Sequence, residues 1–241
     1  SGLPTVLKEN GYHNLFFMTH EGQYDNMNAF FRTNGFDEVF AQEDYPSEKV
    51  VNSFGVQDDF LYDYAIPVLN RTADEGQPFF ATLLSISNHP PYVIPPYFHP
   101  RTDKPETQIV EYADWALRKF FEEARKQSWF ENTIFVLEGD HGKLVGDAEC
   151  ELPQSYNHIP LMIYSNSITP AEHTAFGGQI DIQPTVLGLL GIDYLQNNFG
   201  VDLLKEERPC MFYTADNMIV GRNATQLDMY NYKTNQEFAY H

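Results

Sequence analysis

Hydrophobic positions along this chain fall into two rhythms. Short apolar runs at Asn14 to Thr19, Phe36 to Phe40, Phe79 to Ile86, Thr133 to Leu137 and Ile159 to Tyr164 are too brief for helices. Their β-branched and aromatic content predicts strands, and the runs at Thr133 and Ile159 read as buried ones. Between them lie stretches with apolar residues at helical spacing: Pro4 to Asn10, Asp25 to Thr33, Asp59 to about Asp74, Ile109 to Ser128 and Ile180 to Leu190. In the Ile109 stretch, Val110, Ala113, Leu117, Phe120, Phe121 and Ala124 mark one face. Three further strands are predicted over Arg208 to Ala215, Met218 to Asn223 and Gln226 to Lys233, as a small antiparallel sheet. Strands alternating with helices predict an α/β fold.

The pattern also shows what each strand delivers at its carboxyl end, where ligands bind in open α/β sheets. The Phe79 run ends on Ser87-Asn88-His89-Pro90-Pro91-Tyr92, whose prolines forbid a helix immediately afterwards. The Thr133 run ends on Glu138-Gly139-Asp140-His141-Gly142, and His158 stands just before the Ile159 run. Asp140 and His141 together offer a hard oxygen and an imidazole nitrogen to one metal ion. A strand-terminal Asp-His pair on its own equally fits turn chemistry. By position Asp25 reads as a helix cap, and Asp58 and Asp59 as helix-start carboxylates rather than ligands.

At 241 residues the chain is long enough for a sizeable core, and 42% hydrophobic content is ordinary for a globular protein. A net charge of -19 disfavours nucleic-acid binding, which needs a basic surface to neutralise phosphates, and no nucleic-acid partner is expected. It equally disfavours broad attraction to anionic lipid, so an anionic substrate needs local help from a cation. No apolar run reaches the roughly 18 residues of a membrane span. Cys150 and Cys210 fit either a pair or two buried thiols.

Four stretches in this order resemble the alkaline phosphatase/sulfatase superfamily, in its lipoteichoic acid synthase-like and phosphoglycerol transferase-like branch. They are Tyr24-Asp25-Asn26-Met27 with Asn34-Gly35-Phe36-Asp37; Ser87 to Tyr92; Gly139 to Gly142 followed by Tyr156-Asn157-His158-Ile159-Pro160; and Ile180 to Thr185 with Leu189-Leu190-Gly191-Ile192. The resemblance implies helices around a mostly parallel sheet, with a small C-terminal antiparallel sheet. It divides the chain into an incomplete core over 1–204 and a C-terminal subdomain over 205–241.

The resemblance further implies a metal-dependent phosphotransferase of the phosphoglycerol type, or a hydrolase of sulfate or phosphate esters in the same superfamily. A catalytically silent binding domain that kept the fold is a third expectation. Asp140 and His141 are similar to ligands of the metal that activates the nucleophile, and His158 to a histidine of a second metal. His89 either joins that metal, bonds the transferred group or protonates the leaving oxygen. Asp25 stands at a substrate-binding position, since lipoteichoic acid synthases carry Trp and Arg where this chain has Asp25 and Met27; Lys143 is near enough in sequence to Asp140 and His141 to bind the same anion, and equally fits a solvated surface lysine. The ions implied are one or two of Mn or Zn, with Mg as an alternative, and the site in this chain is expected to bind weakly.

In such enzymes an acidic ligand and a Thr, Ser or formylglycine nucleophile lie upstream of the region matched here, and no Thr or Ser of this chain stands in a matching context. Cys150 is followed by Glu151-Leu152-Pro153-Gln154, without the arginine of the formylglycine pattern. The resemblance therefore implies an upstream segment of the same protein, a small-molecule or lipid head-group ester as substrate, and an extracytoplasmic domain of a membrane-anchored parent.

Overall fold

The computed structural model describes residues 2–144 and 147–241. The chain divides into two compact units, Ser1–Glu131 and Asn132–His241.

The first unit is built on a three-stranded parallel sheet. After helix α1 (Leu3–Glu9), strand β1 (His13–Met18) takes the centre, with β2 (Glu38–Phe40) on one side and β5 (Phe79–Leu84) on the other. Leu15, Phe17 and Met18 of β1 are fully buried, as expected of a central strand covered on both faces. Helix α2 (Met27–Thr33) joins β1 to β2 and lays Phe31 on Phe16, with ring centroids 3.8 Å apart. The connection after β2 contains a short antiparallel hairpin, β3 (Val50–Asn52) and β4 (Gly55–Val56). Gly55 sits at φ +90°, and a Cβ there would fall 1.7 Å from the Thr19 carbonyl oxygen. Only glycine lets the hairpin lie against the end of β1.

Two long helices complete this unit, α3 (Asp58–Asp74) and α4 (Pro105–Ala124). Helix α4 buries Ile109, Tyr112, Ala116, Phe120 and Ala124, while Val110 is exposed. The buried stripe is thus turned about one residue from the predicted one. The apolar pattern omits Tyr112, yet it is fully buried because its hydroxyl has an acid to bond.

In the second unit β6 (Phe135–Glu138) pairs antiparallel with β7 (Leu161–Tyr164). Both runs form strands, but they are not the buried strands expected: β6 is half-buried, and Leu161, Met162 and Tyr164 of β7 are exposed. An apolar run identifies a strand without identifying what covers it. Helix α5 (Ile182–Leu190) follows, and then a four-stranded antiparallel sheet in the order β11-β10-β9-β8. Its strands are β8 (Cys210–Ala215), β9 (Met218–Asn223), β10 (Leu227–Asn231) and β11 (Gln236–Tyr240). The last was missed because Gln236 and Glu237 hide the alternation that sets Phe238 opposite Met229. Asp216 and Asn217, both at positive φ, turn β8 into β9 in the manner of a tight hairpin. Met218, Val220 and Met229 pack with Leu152 as the core of this sheet.

Cys150 and Cys210 are free thiols. Among the described residues no helix is long and apolar enough to cross a membrane.

Candidate active site

The predicted site residues fall in both units: Asp25 and His89 in the first, Asp140, His141, Lys143 and His158 in the second. Each group is defined by its own unit's geometry.

In the first unit β1 and β5 are parallel neighbours, with Met18 opposite Leu84. Their carboxyl ends therefore lie side by side. The end of β1 carries His20 and the loop after β5 carries His89. His20, which is absent from the candidate residues read from the sequence, is 3% exposed. Its Nδ1 lies 3.0 Å from the Glu21 carbonyl oxygen, and its ring packs beside Tyr24. Its signal was available: a histidine two residues beyond an apolar strand, as at His89. The His89 Nδ1 lies 2.7 Å from the Pro90 carbonyl oxygen. A carbonyl only accepts, so Nδ1 is the donor in both rings, and Nε2 is the nitrogen left to meet a metal or a substrate.

Asp25 does not cap α2. Asp25 and Asn26 sit at φ 46° and 58°, α2 begins at Met27, and neither residue makes a side-chain cap bond. Left-handed backbone, which Asp and Asn tolerate best among non-glycine residues, replaces the capping geometry. Asp25 is exposed in this turn.

Asp58 and Asp59 open α3, as their position predicts, but they are 2% and 8% exposed and bond outside their own helix. The N–H groups of Ile86 and Ser87 both donate to Asp58 Oδ1 at 3.0 Å. Tyr112 donates its hydroxyl to Asp59 Oδ1 at 2.5 Å, and Tyr97 donates to the same carboxylate at 2.9 Å. Burial pushes the Asp58 carboxyl above its ordinary pKa, against the lowering effect of the two N–H donors.

In the second unit the turn Gly139 to Gly142 follows β6. Asp140 and His141 are both 70% exposed, with His141 Nε2 3.7 Å from Asp140 Oδ2. The His141 Nδ1 lies 2.9 Å from the Gly142 carbonyl oxygen and donates to it, which leaves Nε2 as the nitrogen on the Asp140 side. Gln179 Nε2 donates to the carbonyl oxygens of Gly139 and Asp140 and braces the turn. Desolvation, and after it the Asp140 charge, pushes the Glu138 carboxyl up. A cation at this strand end would relieve that repulsion.

Gly142 is the seat of the segment that carries His158. Its N–H donates to the Tyr156 carbonyl oxygen at 2.8 Å, and a Cβ on it would meet the Ser155 carbonyl oxygen at 1.9 Å. The His158 N–H in turn donates to the Gln154 carbonyl oxygen. Gln154 Oε1 accepts from Arg222 Nη1 and from the Tyr213 hydroxyl, which ties this segment to β8 and β9. Among the described residues the buried Asn157 Nδ2, next to His158 in sequence, meets no hydrogen-bond partner.

Asp140 and His141 thus suit a divalent ion by donor type, as one oxygen and one outward nitrogen whose partner N–H is held by a carbonyl. They do not complete a shell: among the described residues no three His, Cys, Asp or Glu side chains gather as a metal site. His158 and Lys143 are exposed near the same turn in sequence. Thr185 is 1% exposed and its hydroxyl donates to the Asp181 carbonyl oxygen, a structural task and not a nucleophile's. Asp181 itself is fully buried and ion-paired with Arg208, as a turn acid should be.

Comparison with known proteins agrees with this architecture. The sulfatase family model matches residues 1–192. Lipoteichoic acid synthase 1 of Bacillus subtilis is 26% identical over 98% of this chain and 40% of its own length. Phosphoglycerol transferase I of Xanthomonas campestris is 25% identical over 92% of this chain and 33% of its own. A solved protein of the alkaline phosphatase superfamily from Vibrio parahaemolyticus superposes with a TM-score of 0.86 at 29% identity, covering 99% of this chain and 62% of that one. The chain thus spans well under half the length of the two curated relatives. With about four-fifths of its residues under one family model, and that fold around them, the chain belongs to the sulfatase family.

Proposed function

We propose that this chain is part of the catalytic domain of a metal-dependent phosphotransferase that moves a phosphoglycerol-type group. The observation that carries the reading is the Gly139–Gly142 turn, which holds an exposed carboxylate and an exposed imidazole side by side. The names of the relatives, lipoteichoic acid synthase and phosphoglycerol transferase, supply the substrate class. Asp140 and His141 would hold the ion, Mn or Zn best suiting a mixed oxygen and nitrogen pair. When bound, that ion would lower the pKa of a nucleophile and neutralise charge on the transferred group. His89 and His20 would bond the transferred group or deliver a proton to the leaving oxygen through Nε2. Asp25, Lys143 and His158 would line the substrate or a second ion.

The nucleophile and the remaining ligands would come from an upstream segment of the same protein, in keeping with the incomplete donor set. The parent protein would be membrane-anchored and this domain extracytoplasmic, acting on a lipid head group. Residues 205–241 would form a subdomain supporting the His158 segment, through the Gln154 bonds to Tyr213 and Arg222.

The family match itself favours a second reading, hydrolysis of a sulfate or phosphate ester. One experiment separates them. The protein extended to the length of its relatives' catalytic domain is given Mn²⁺ or Zn²⁺ and offered a phosphatidylglycerol analogue, an aryl phosphodiester and an aryl sulfate. Metal-dependent turnover of the lipid analogue is expected. Turnover of the sulfate alone overturns the transferase reading. Metal binding without turnover of any of the three also overturns it and favours a silent binding domain.

A further inference from the structure

The loop from Ile86 to Val93 carries His89, and both of its ends are held by two adjacent residues at the start of α3. At the entering end, the Ile86 and Ser87 N–H groups donate to Asp58 Oδ1, and the Ser87 hydroxyl donates to Gln57 Oε1 at 3.2 Å. At the leaving end, Gln57 Nε2 donates to the Val93 carbonyl oxygen at 3.0 Å. The bonding runs in both directions, since the Asp58 N–H donates back to the Ser87 hydroxyl at 3.3 Å. Gln57, Asp58 and Ser87 are all buried, at 7%, 2% and 8% exposure. Between the two held ends, Asn88 to Pro91 are exposed, and the His89 ring lies 4.4 Å from that of Phe54.

We infer that Gln57 and Asp58 form a clasp whose task is to position His89. It rests on the functional reading of His89 given above. A carboxylate at the N-terminus of a helix needs no such partners, because the helix dipole and solvent already favour it there. Here the carboxylate is withdrawn from solvent and spends its acceptor capacity on two successive loop amides. Left unmet in the interior, those amides would carry the full penalty of their desolvation. The loop therefore has one well-defined path, and the imidazole leaves the strand end from a fixed root. Gln57 is suited to the other half of the task because its amide accepts from Ser87 through the oxygen and donates to Val93 through the nitrogen at once.

The chemistry predicts which substitutions break the clasp. Both loop amides bond the same oxygen, Oδ1. Asp58→Asn keeps one acceptor oxygen and can serve both amides; Asp58→Ala serves neither. Gln57→Ala removes both ends of the second tie while leaving the carboxylate in place.

The test uses the 241-residue chain with histidine labelled at Cε1. The His89 resonance is identified by its loss in His89→Gln. Asp58→Ala and Gln57→Ala are expected to displace or broaden the His89 resonance beyond any change at His141 or His158, and Asp58→Asn to leave it in place. A His89 resonance unmoved in folded Asp58→Ala overturns the clasp. So does a displacement in Asp58→Asn as large as that in Asp58→Ala. If Asp58→Ala fails to fold, Gln57→Ala decides alone, and an unmoved resonance there overturns the proposal. In the extended protein under the turnover assay, Asp58→Ala is expected to lower kcat about tenfold or more with KM within about twofold, and Asp58→Asn to restore it. Full turnover in His89→Gln overturns the functional reading of His89, and the clasp's part in catalysis with it, even where the resonance has moved.

Discussion

The loop after β5 and the turn after β6 both deliver histidines from a strand end, and they are held by opposite means. Ile86 to Val93 is tied by buried side chains, a carboxylate and an amide that reach up from α3. Gly139 to Gly142 is fixed by backbone approach, with Gly142 seated against the Ser155 carbonyl oxygen and Gln179 bracing the carbonyl oxygens above it. The first device makes its histidine depend on hydrogen-bond chemistry two helical positions wide. The second makes its Asp-His pair depend on an absent side chain. The first should tolerate isosteric change and fail on loss of acceptors; the second should fail on added volume.

The sharpest break concerns the support behind the second turn. Gln179 lies in the Gly178–Asp181 turn, where Asp181 accepts from the Gly178 and Val201 N–H groups and from Arg208 Nε at 2.9 Å. Asp181 is fully buried and Arg208 largely so. Arg208→Ala leaves a buried carboxylate without its counter-ion, and removing one partner of such a pair costs about 3–5 kcal/mol. The expected result in urea melts is a stability loss near the lower end of that range, since two N–H donors remain. A loss below about 1 kcal/mol would mean that the turn does not depend on this pair.

Asp140→Asn probes the same turn by chemistry rather than by support. The fold should be unmoved, because Asp140 is exposed and its side chain bonds locally, to the His141 N–H. Metal affinity, read by calorimetry in the extended protein, should fall by at least about 100-fold, the upper end of what even indirect changes around a metal produce. Unchanged affinity removes Asp140 from the ligand set.

How far these devices were legible in the sequence differs in the same way. Strand β1, helices α3 and α5 and the outline of β6 to β9 follow from local periodicity, which is a property of the chain itself. The Asp-His pair is likewise visible because its two members are neighbours. What supports His89 was not visible, because Asp58 stands 31 positions from it and looks like an ordinary helix-start acid. The buried stripe of α4 was misplaced for a related reason: Tyr112 becomes a core residue only because Asp59, in another helix, receives its hydroxyl. His20 was passed over although it sits at a strand end just as His89 does. Polar partners far apart in sequence leave no periodic trace, whereas a short apolar run does.

Gly142→Ala tests the volume argument directly. A Cβ would fall 1.9 Å from a backbone oxygen, which no side-chain rotation relieves. The segment 154–158 must move, at about 1–3 kcal/mol, the range for forced overpacking. The His158 resonance is expected to shift while the His89 resonance stays in place. Equal movement of both would show that the two devices are not separate.

The smallest effect expected is a pH-dependent one at the clasp. Burial raises the Asp58 pKa above the ordinary value of 3.8. The folded chain therefore holds this proton more tightly than the unfolded chain does. Stability from this group is fully present below the unfolded value and is lost as pH rises through the raised folded value. The amide introduced by Asp58→Asn does not titrate and keeps an acceptor oxygen for the Ile86 and Ser87 N–H groups. The melting temperature of Asp58→Asn relative to the native chain should accordingly be lowest in acid and rise towards neutrality. A difference that is flat across this range would mean that the carboxylate carries no net burial penalty. A difference that falls with pH would mean that its two amide donors outweigh desolvation. In that last case the charge itself, and not the shape of the acceptor, holds the His89 loop.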